Sequence, residues 1–368
     1  MNRVLHIING EFFAGAERVQ DLLALRLPEF GYTCGFVSLK DGVFDEHRRS
    51  TTSLDVIPMR SRFDISIVGR IASLAKSDGY QIIHTHTPRS ALIGRLVARK
   101  LGLPMVHHVH SPTQRDTESK LRNLANAFVE DHLVLPSATH LVAVSSSLGA
   151  YLIARGVNRN RFTVVPNGVP VVREEPAWRP PVHEWVIGTV ALFRPRKGIE
   201  VLLHSLRELL DQGLHVRLKA VGTFETPLYE ASIKTLVKEL GLTDKVHWTG
   251  FSSEVHREME SMHVFVLPSL FGEGLPMVVI EAMSVGIPVV ASRVEGIPEV
   301  ISGQEVGVVV EPNDVASLTR GLKALVVGDL SAQSMARAAH ARQMNHYSDL
   351  AMAKSVAAVY RRVQLTRK

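Results

Sequence analysis

A chain of 368 residues has room for two domains of roughly 100–200 residues each. Its 45% apolar and 21% charged residues exclude a disordered chain, and the single cysteine, Cys34, excludes an internal disulfide and points to a reducing, cytoplasmic setting. The net charge of +6 lies in residues 1–172, where 20 Lys+Arg face 14 Asp+Glu, while the remainder carries 22 of each; without a basic run interleaved with aromatics, an anionic membrane surface or a phosphorylated acceptor fits better than nucleic acid.

The N-terminal "MNRVLHIING" enters a strand pattern at once, so no leader peptide is expected, and no apolar run approaches the ~20 residues of a spanning helix. "RVLHII" (3–8) predicts a strand, followed by a helix from about Ala16 to Glu29. "CGFVSL" (34–39) is the next strand. "QIIHTHT" (81–87) precedes a helix in "PRSALIGRLVARKLG", and "MVHHVHS" (105–111) precedes a long helix near 117–134. "HLVAVS" (140–145), the short helix "SSLGAYLIARG" and "FTVVPNGV" (162–169) close the first half. Short Val/Ile-rich runs alternating with helical patterns imply a parallel sheet covered on both faces.

The segment 170–184, "PVVREEPAWRPPVHE", is rich in Pro and charge and has no apolar period, so residues 173–184 are read as a linker. The rhythm then restarts. Strands are expected at 185–192, 215–222, 246–250, 263–269, 288–292 and 306–311, with helices at 198–212, 227–240 and 253–261. Residues 348–364 read as an amphipathic packing helix. The expected organisation is an acceptor-side domain at 1–172, the linker, a second domain at 185–345, and a C-terminal helix within 346–368 near the domain junction. Both domains read as doubly wound, Rossmann-like parallel sheets, with ligands in the crevice they face.

"FGEGLPMVVIEAMSVGIPVVAS" (271–292) carries the clearest chemistry. Pro276 suits a first helical turn, Gly286 suits the residue past its end, and Pro288 bars continuation. The loop before this helix, with Gly272 and Gly274, lets backbone N–H groups approach a ligand. Glu273 would repel a phosphate there but accepts hydrogen bonds from neutral hydroxyls. Glu281 lies five residues into the helix and reaches a second set of hydroxyls, so one carboxylate for a sugar and one for a ribose is a coherent reading. A glycosidase pair competes, although the spacing does not enforce the ~5–9.5 Å such carboxylates need. A dipole-complementing Glu273 and an exposed Glu281 is the purely structural alternative, and the apolar residues around Glu281 fit it poorly.

"EGLPMVVIE" (273–281) and "GIPVVASRVEGIPEVI" (286–301), with "VVPNGV" (164–169), "HTHT" (84–87), "AVSSSL" (143–148) and "GAER" (15–18), resemble the retaining glycosyltransferases of family 4 along nearly the whole chain. The resemblance implies the GT-B fold, in which two Rossmann-like domains face a cleft. It implies that Glu273 holds the donor sugar, that Glu281 holds the nucleotide ribose, and that Gly274, Leu275 and Pro276 line the donor. In "LFRPRKG" (192–198) it implies a basic pair on the diphosphate leaving group, assigned to Arg194 and Lys197. The family's usual arginine falls at Leu192 here, which leaves Arg194 and Arg196 as contenders. Gly15 carries the close approach of the first loop, where Ala14 replaces a second glycine. His110 takes the strand-end station near the donor sugar. Gly250 and Phe251, after Thr249, take the station of the base. Glu295-Gly296 stands where two small residues are frequent.

The resemblance implies sugar transfer from a nucleotide diphosphate sugar to an acceptor hydroxyl with retention at the anomeric carbon, in cell-surface polysaccharide or glycolipid synthesis. A uridine diphosphate sugar is expected first and guanosine diphosphate mannose second. The acceptor is a glycan or a lipid-linked glycan, and the protein would sit peripherally on the inner face of the membrane. No cofactor is expected beyond this co-substrate. His84, His86 and His110 invite a zinc reading, but no Cys or acidic ligand accompanies them at metal spacing, so no metal is expected. His107 and His108 are assigned to packing. A nucleotide-sugar epimerase and a non-catalytic sugar-nucleotide binder are the alternatives.

Overall fold

The computed structural model describes residues 1–13, 15–61, 64–111, 130–301, 303 and 305–365. The helix expected near 117–134 lies outside them up to residue 129, and Glu130–Val134 forms one π-helical turn. Ala14 also lies outside them. The chain forms two units, Met1–Gly168 with Asp349–Lys368, and Val169–Ser348.

The first unit holds a seven-stranded parallel sheet in the order β3-β2-β1-β4-β5-β6-β7. Its strands are β1 (Asn2–Ile8), β2 (Tyr32–Ser38), β3 (Leu54–Val56), β4 (Ile82–Thr85), β5 (Met105–Val109), β6 (His140–Ala143) and β7 (Phe162–Val164). Strand order reverses between β1 and β4, the place where doubly wound sheets open toward ligands. Val4, Leu5, Ile7 and Ile8 are fully buried, as a central strand covered on both faces requires. The Pro88–Leu101 helix starts at a capping box in which Thr87 and Ser90 satisfy each other's backbone N–H, and it ends at left-handed Gly102.

The C-terminal helix, Asp349–Leu365, belongs to this first unit. It buries Met352, Val356, Tyr360 and Val363. Arg26 Nε donates to Asp349 Oδ2 at 2.7 Å, and Tyr32 OH donates to Gln364 Oε1 at 3.0 Å. Four elements here escape the sequence reading: Phe44–His47, β3, Val68–Ser77 and the single turn Arg159–Arg161. The first two are a single turn and three edge residues. The third buries only Ile71, Ala72 and Ala75, too little apolar volume to give a strong period.

The second unit holds a six-stranded parallel sheet in the order β10-β9-β8-β11-β12-β13. Its strands are β8 (Trp185–Val190), β9 (Val216–Val221), β10 (Val246–Gly250), β11 (Val264–Leu267), β12 (Val289–Ser292) and β13 (Val308–Val310). Helices Ile297–Val300, Val315–Val326 and Ala332–His346 add to the expected set. Residues 173–184 fold as part of this unit. Ala177 N–H bonds to Val285 O at 2.8 Å, and Trp178 Nε1 bonds to His263 O at 2.9 Å. The chain passes between units at Gly168–Val169 and Ser348–Asp349, so the Pro-rich stretch packs on its own unit through an indole that composition alone does not weigh. The second strand-order reversal, between β8 and β11, brings the loop after each of these two strands side by side. Among the described residues, no helix is long and apolar enough to cross a membrane.

Candidate functional site

The two loops at this second reversal are locked together by backbone. Gly198 has φ +66°, and a Cβ there would stand 2.1 Å from Pro268 O, so a side chain is excluded by both conformation and space. Leu270 N–H donates to Arg196 O at 2.8 Å. Arg196 Nη1 returns to the other loop, donating to Gly272 O at 2.8 Å and Phe271 O at 3.3 Å. Gly272 has φ +79°, the left-handed turn that presents both carbonyls to the guanidinium.

This framework sets Lys197 against Glu273. Lys197 Nζ donates to Glu273 Oε1, and Ser269 Oγ donates to the same oxygen at 2.7 Å. Arg196 Nη1 stands 3.6 Å from it. Burial pushes the Glu273 carboxyl up, but Lys197 first and Arg196 second overcome it and hold the group below its ordinary value. Burial first, with Arg196 and Arg194, holds the Lys197 ammonium below its ordinary value although Glu273 raises it. Glu273 N–H donates to Glu295 Oε2 at 3.0 Å, and Glu295 holds a strained φ of +34°.

The helix that follows is Met277–Val285, with Pro276 at its N-cap and left-handed Gly286 at its end. Glu281 lies inside it, fully buried. Gly274, Leu275 and Pro276 are buried in the turn between the two glutamates. Arg194 lies on the same loop as Lys197 but pairs with Glu225, Nη1 to Oε1 at 3.3 Å. Arg196 is therefore the arginine brought to Glu273. Gly250 ends edge strand β10 with φ +77°, its carbonyl accepting from Gly222 N–H at 2.7 Å, and Phe251 beside it is 70% exposed. The arrangement places fixed cations, a charged carboxylate and a backbone turn at the carboxyl ends of β8 and β11, which suits a ligand with anionic and hydroxyl groups together.

Two family models match the chain: "Glycosyltransferase Family 4" over residues 13–173 and "Glycosyl transferases group 1" over residues 173–342. MMP alpha-(1->4)-mannosyltransferase of Mycolicibacterium hassiacum is 30% identical over 282 residues, 73% of this chain and 67% of that one. The chain belongs to the family 4 and group 1 glycosyltransferases.

This glycosyltransferase is also 32% identical to the putative colanic acid biosynthesis glycosyltransferase WcaL of Escherichia coli over 214 residues, a match that spans about half the length of that relative (52%). An Escherichia coli UDP-Gal:alpha-D-GlcNAc-diphosphoundecaprenol alpha-1,3-galactosyltransferase is 23% identical over 87% of each chain. The solved structure of Anabaena HepE in complex with UDP superposes with a TM-score of 0.83 at 19% identity, covering 98% of this chain and 99% of that one. That likeness shows the fold, the two doubly wound units of GT-B type.

The remaining residues singled out in the sequence of this glycosyltransferase belong to its first unit. Gly15 opens the Gly15–Arg26 helix after β1, and a Cβ there would meet nothing within 4 Å. His110 follows β5, and burial, then nearby His107, lowers its pKa to about 3, so it is neutral. His6, His84 and His86 have nitrogens within 4.8 Å of one another, as do His86, His108 and His110. Sequence reasoning missed one contributor to the site, Ser269, and named two others, Glu295 and Arg196, without settling their roles. Ser269 and Glu295 showed only as a strand-end serine and a departure from small residues. Arg196 stood one residue from Lys197 in the same basic loop.

Proposed function

We propose that this chain transfers a sugar, with retention at the anomeric carbon and without a metal, from a nucleotide diphosphate sugar to an acceptor hydroxyl. The single observation that supports it most is the buried Lys197–Glu273 pair flanked by Arg196 at the carboxyl ends of β8 and β11. Cleavage of a sugar–diphosphate bond leaves negative charge on phosphate. Lys197, with Arg196 and Arg194, answers that charge with fixed cations. Glu273, kept ionised, accepts hydrogen bonds from sugar hydroxyls, and Glu281 accepts from the ribose. The backbone of Gly274, Leu275 and Pro276 lines the donor, Gly250 and Phe251 meet the base, and Gly15 and His110 keep the donor-binding roles that the family resemblance gives them. The diphosphate takes the acceptor's proton in a same-face attack, a role that needs no side-chain nucleophile.

A uridine diphosphate sugar is the first donor, in keeping with the UDP in the HepE structure, and guanosine diphosphate mannose the second. A glycan or lipid-linked acceptor in cell-surface polysaccharide synthesis fits the names of the relatives, and the basic first half fits a cytoplasmic protein docked on an anionic membrane surface. A thermal-shift screen of UDP-glucose, UDP-galactose, UDP-N-acetylglucosamine and GDP-mannose tests the donor, because a ligand at 100 times its Kd stabilises by about 2.7 kcal/mol. A shift with one of them is expected. No shift with any nucleotide sugar would refute the reading.

A further inference from the structure

Five histidines share one face of the first unit's sheet. His6 on β1 is paired in register with His84 on β4, and Thr85 of β4 with His107 of β5. Alternation then puts His84, His86, His108 and His110 on the face of His6, and His107 on the other. The Asp349–Leu365 helix covers this face and sends Tyr360 into it, fully buried.

These rings do more than pack. His110 Nε2 lies 3.2 Å from His86 Nδ1, and His86 Nε2 lies 3.0 Å from His6 Nδ1. His6 Nε2 lies 3.3 Å from Tyr360 OH, which lies 2.6 Å from His84 Nδ1. The ring centroids of His6–His86 and His86–His110 are 5.1 and 5.4 Å apart, with planes inclined by 23° in each pair. At these separations the rings meet edge to edge, nitrogen to nitrogen. A tetrahedral metal at ~2.0–2.1 Å from each nitrogen would hold them about 3.3–3.4 Å apart, so 3.0 Å between His86 and His6 is the separation of a shared proton.

We infer that the Tyr360–His6–His86–His110 chain is a one-directional hydrogen-bond relay in which His86 is the positioning residue that fixes the tautomer and ring plane of His110. Direction comes from its inner end. A contact of 2.6 Å is shorter than the ~2.7–3.2 Å usual for an imidazole N–H donor and favours the phenolic O–H as the donor. We assign the Tyr360 hydroxyl as donor to His84 Nδ1 and as acceptor from His6 Nε2–H, with Cys34 Sγ 3.4 Å from the same His6 nitrogen and His84 Nε2 buried without a partner among the described residues; the opposite assignment would reverse every bond of the chain. His6 Nδ1 must then accept from His86 Nε2–H, and His86 Nδ1 from His110 Nε2–H, because a neutral imidazole has one donor and one acceptor. Burial keeps every member neutral: it lowers His6 to about 3, holds His86 well below its ordinary value and raises the Tyr360 phenol. The outcome is a His110 whose Nδ1 carries the lone pair, an acceptor for a ligand hydroxyl. This last use rests on the donor-pocket role proposed above for His110; the relay itself does not.

The test uses the full chain with 15N-labelled histidine. Scalar couplings across the N–H···N bonds are expected between His110 Nε2 and His86 Nδ1 and between His86 Nε2 and His6 Nδ1. His86→Phe should abolish both, and Tyr360→Phe should broaden the His6 Nε2–H signal by faster exchange. Thr85→Val, which removes the partner of His107 on the opposite face, should leave the couplings intact. In turnover of the donor found by the screen, His86→Phe should lower kcat about tenfold, the loss of one hydrogen bond, with UDP affinity unchanged. His86→Asn, which keeps an acceptor near the Nδ1 position, should restore most of it. Absent couplings in the wild type, or His110 protonated on Nδ1, would overturn the relay whatever the activity. Couplings present with His86→Phe fully active would leave the relay standing and refute the role of His110 in the donor pocket.

Discussion

Lys197 Nζ and Glu273 Oε1 form an ion pair inside the second unit, with side chains 13% and 7% exposed. Neither charge can relax into water, and Arg196 adds a second cation on the same oxygen. Removing one partner of a buried pair costs about 3–5 kcal/mol, because the other is left uncompensated.

Glu273→Gln should therefore lose about 3 kcal/mol in urea unfolding and about 100-fold or more in sugar transfer. It should still bind UDP at least as tightly as the wild type, since the diphosphate supplies the missing negative charge to Lys197 and Arg196. Calorimetry beside the unfolding curve checks both halves. Weaker UDP binding with unchanged stability would contradict this account of the pair.

Gly198 should not tolerate a methyl group. Its φ of +66° and the Pro268 carbonyl, 2.1 Å from where a Cβ would stand, make Gly198→Ala a backbone clash, whereas Gly213, at φ +77°, meets nothing within 4 Å. Gly213→Ala should cost about 1 kcal/mol and Gly198→Ala clearly more, with loss of UDP binding. Equal urea midpoints for the two variants would contradict the locked loops.

Much of this was legible in sequence because parallel strands buried on both faces read as continuous Val/Ile runs, and because Pro276 and Gly286 punctuate their helix. Glu281 inside an apolar helix announced itself by contrast. The lost part lies where signals are weak or distant. Arg196 and Arg194 differ by two positions, and nothing local says which will cross to Gly272 O. His6 and Tyr360 are 354 residues apart, so no local pattern joins them. The Trp178 contact hid in a Pro-rich stretch whose composition resembles a linker.

The buried histidines make stability pH-dependent. Burial lowers His6 and His110 to about 3 and His107 to about 4, from an ordinary value of 6.5. The unfolded chain takes up these protons below 6.5 and the folded chain does not. Their contribution is thus complete above pH 6.5 and is lost as pH falls toward 4 and then 3. Each contributes a slope of up to 1.36 kcal/mol per pH unit, about 4 kcal/mol for the three together. Urea midpoints at pH 7.5, 6 and 5 read this, and His6→Phe should flatten the slope by up to about 1.36 kcal/mol per pH unit. A flat wild-type profile would contradict it.

The C-terminal helix should be indispensable to the first unit. A chain ending at Ser348 loses Met352, Val356, Tyr360 and Val363 from a buried face and the Asp349 partner of Arg26. At about 1.5–3 kcal/mol for each large apolar side chain, the loss is comparable to the whole margin of a typical domain, about 5–15 kcal/mol. The truncated chain should lose the first unit's cooperative transition. Its retention in calorimetry would contradict the helix's role.

The most direct measurement is isothermal titration of the full chain with UDP and GDP, in parallel with Lys197→Met. A nucleoside diphosphate should bind the wild type, and Lys197→Met should weaken it by about tenfold or more, with no metal added. Binding of neither nucleotide, or equal affinity in the Lys197→Met protein, would contradict it.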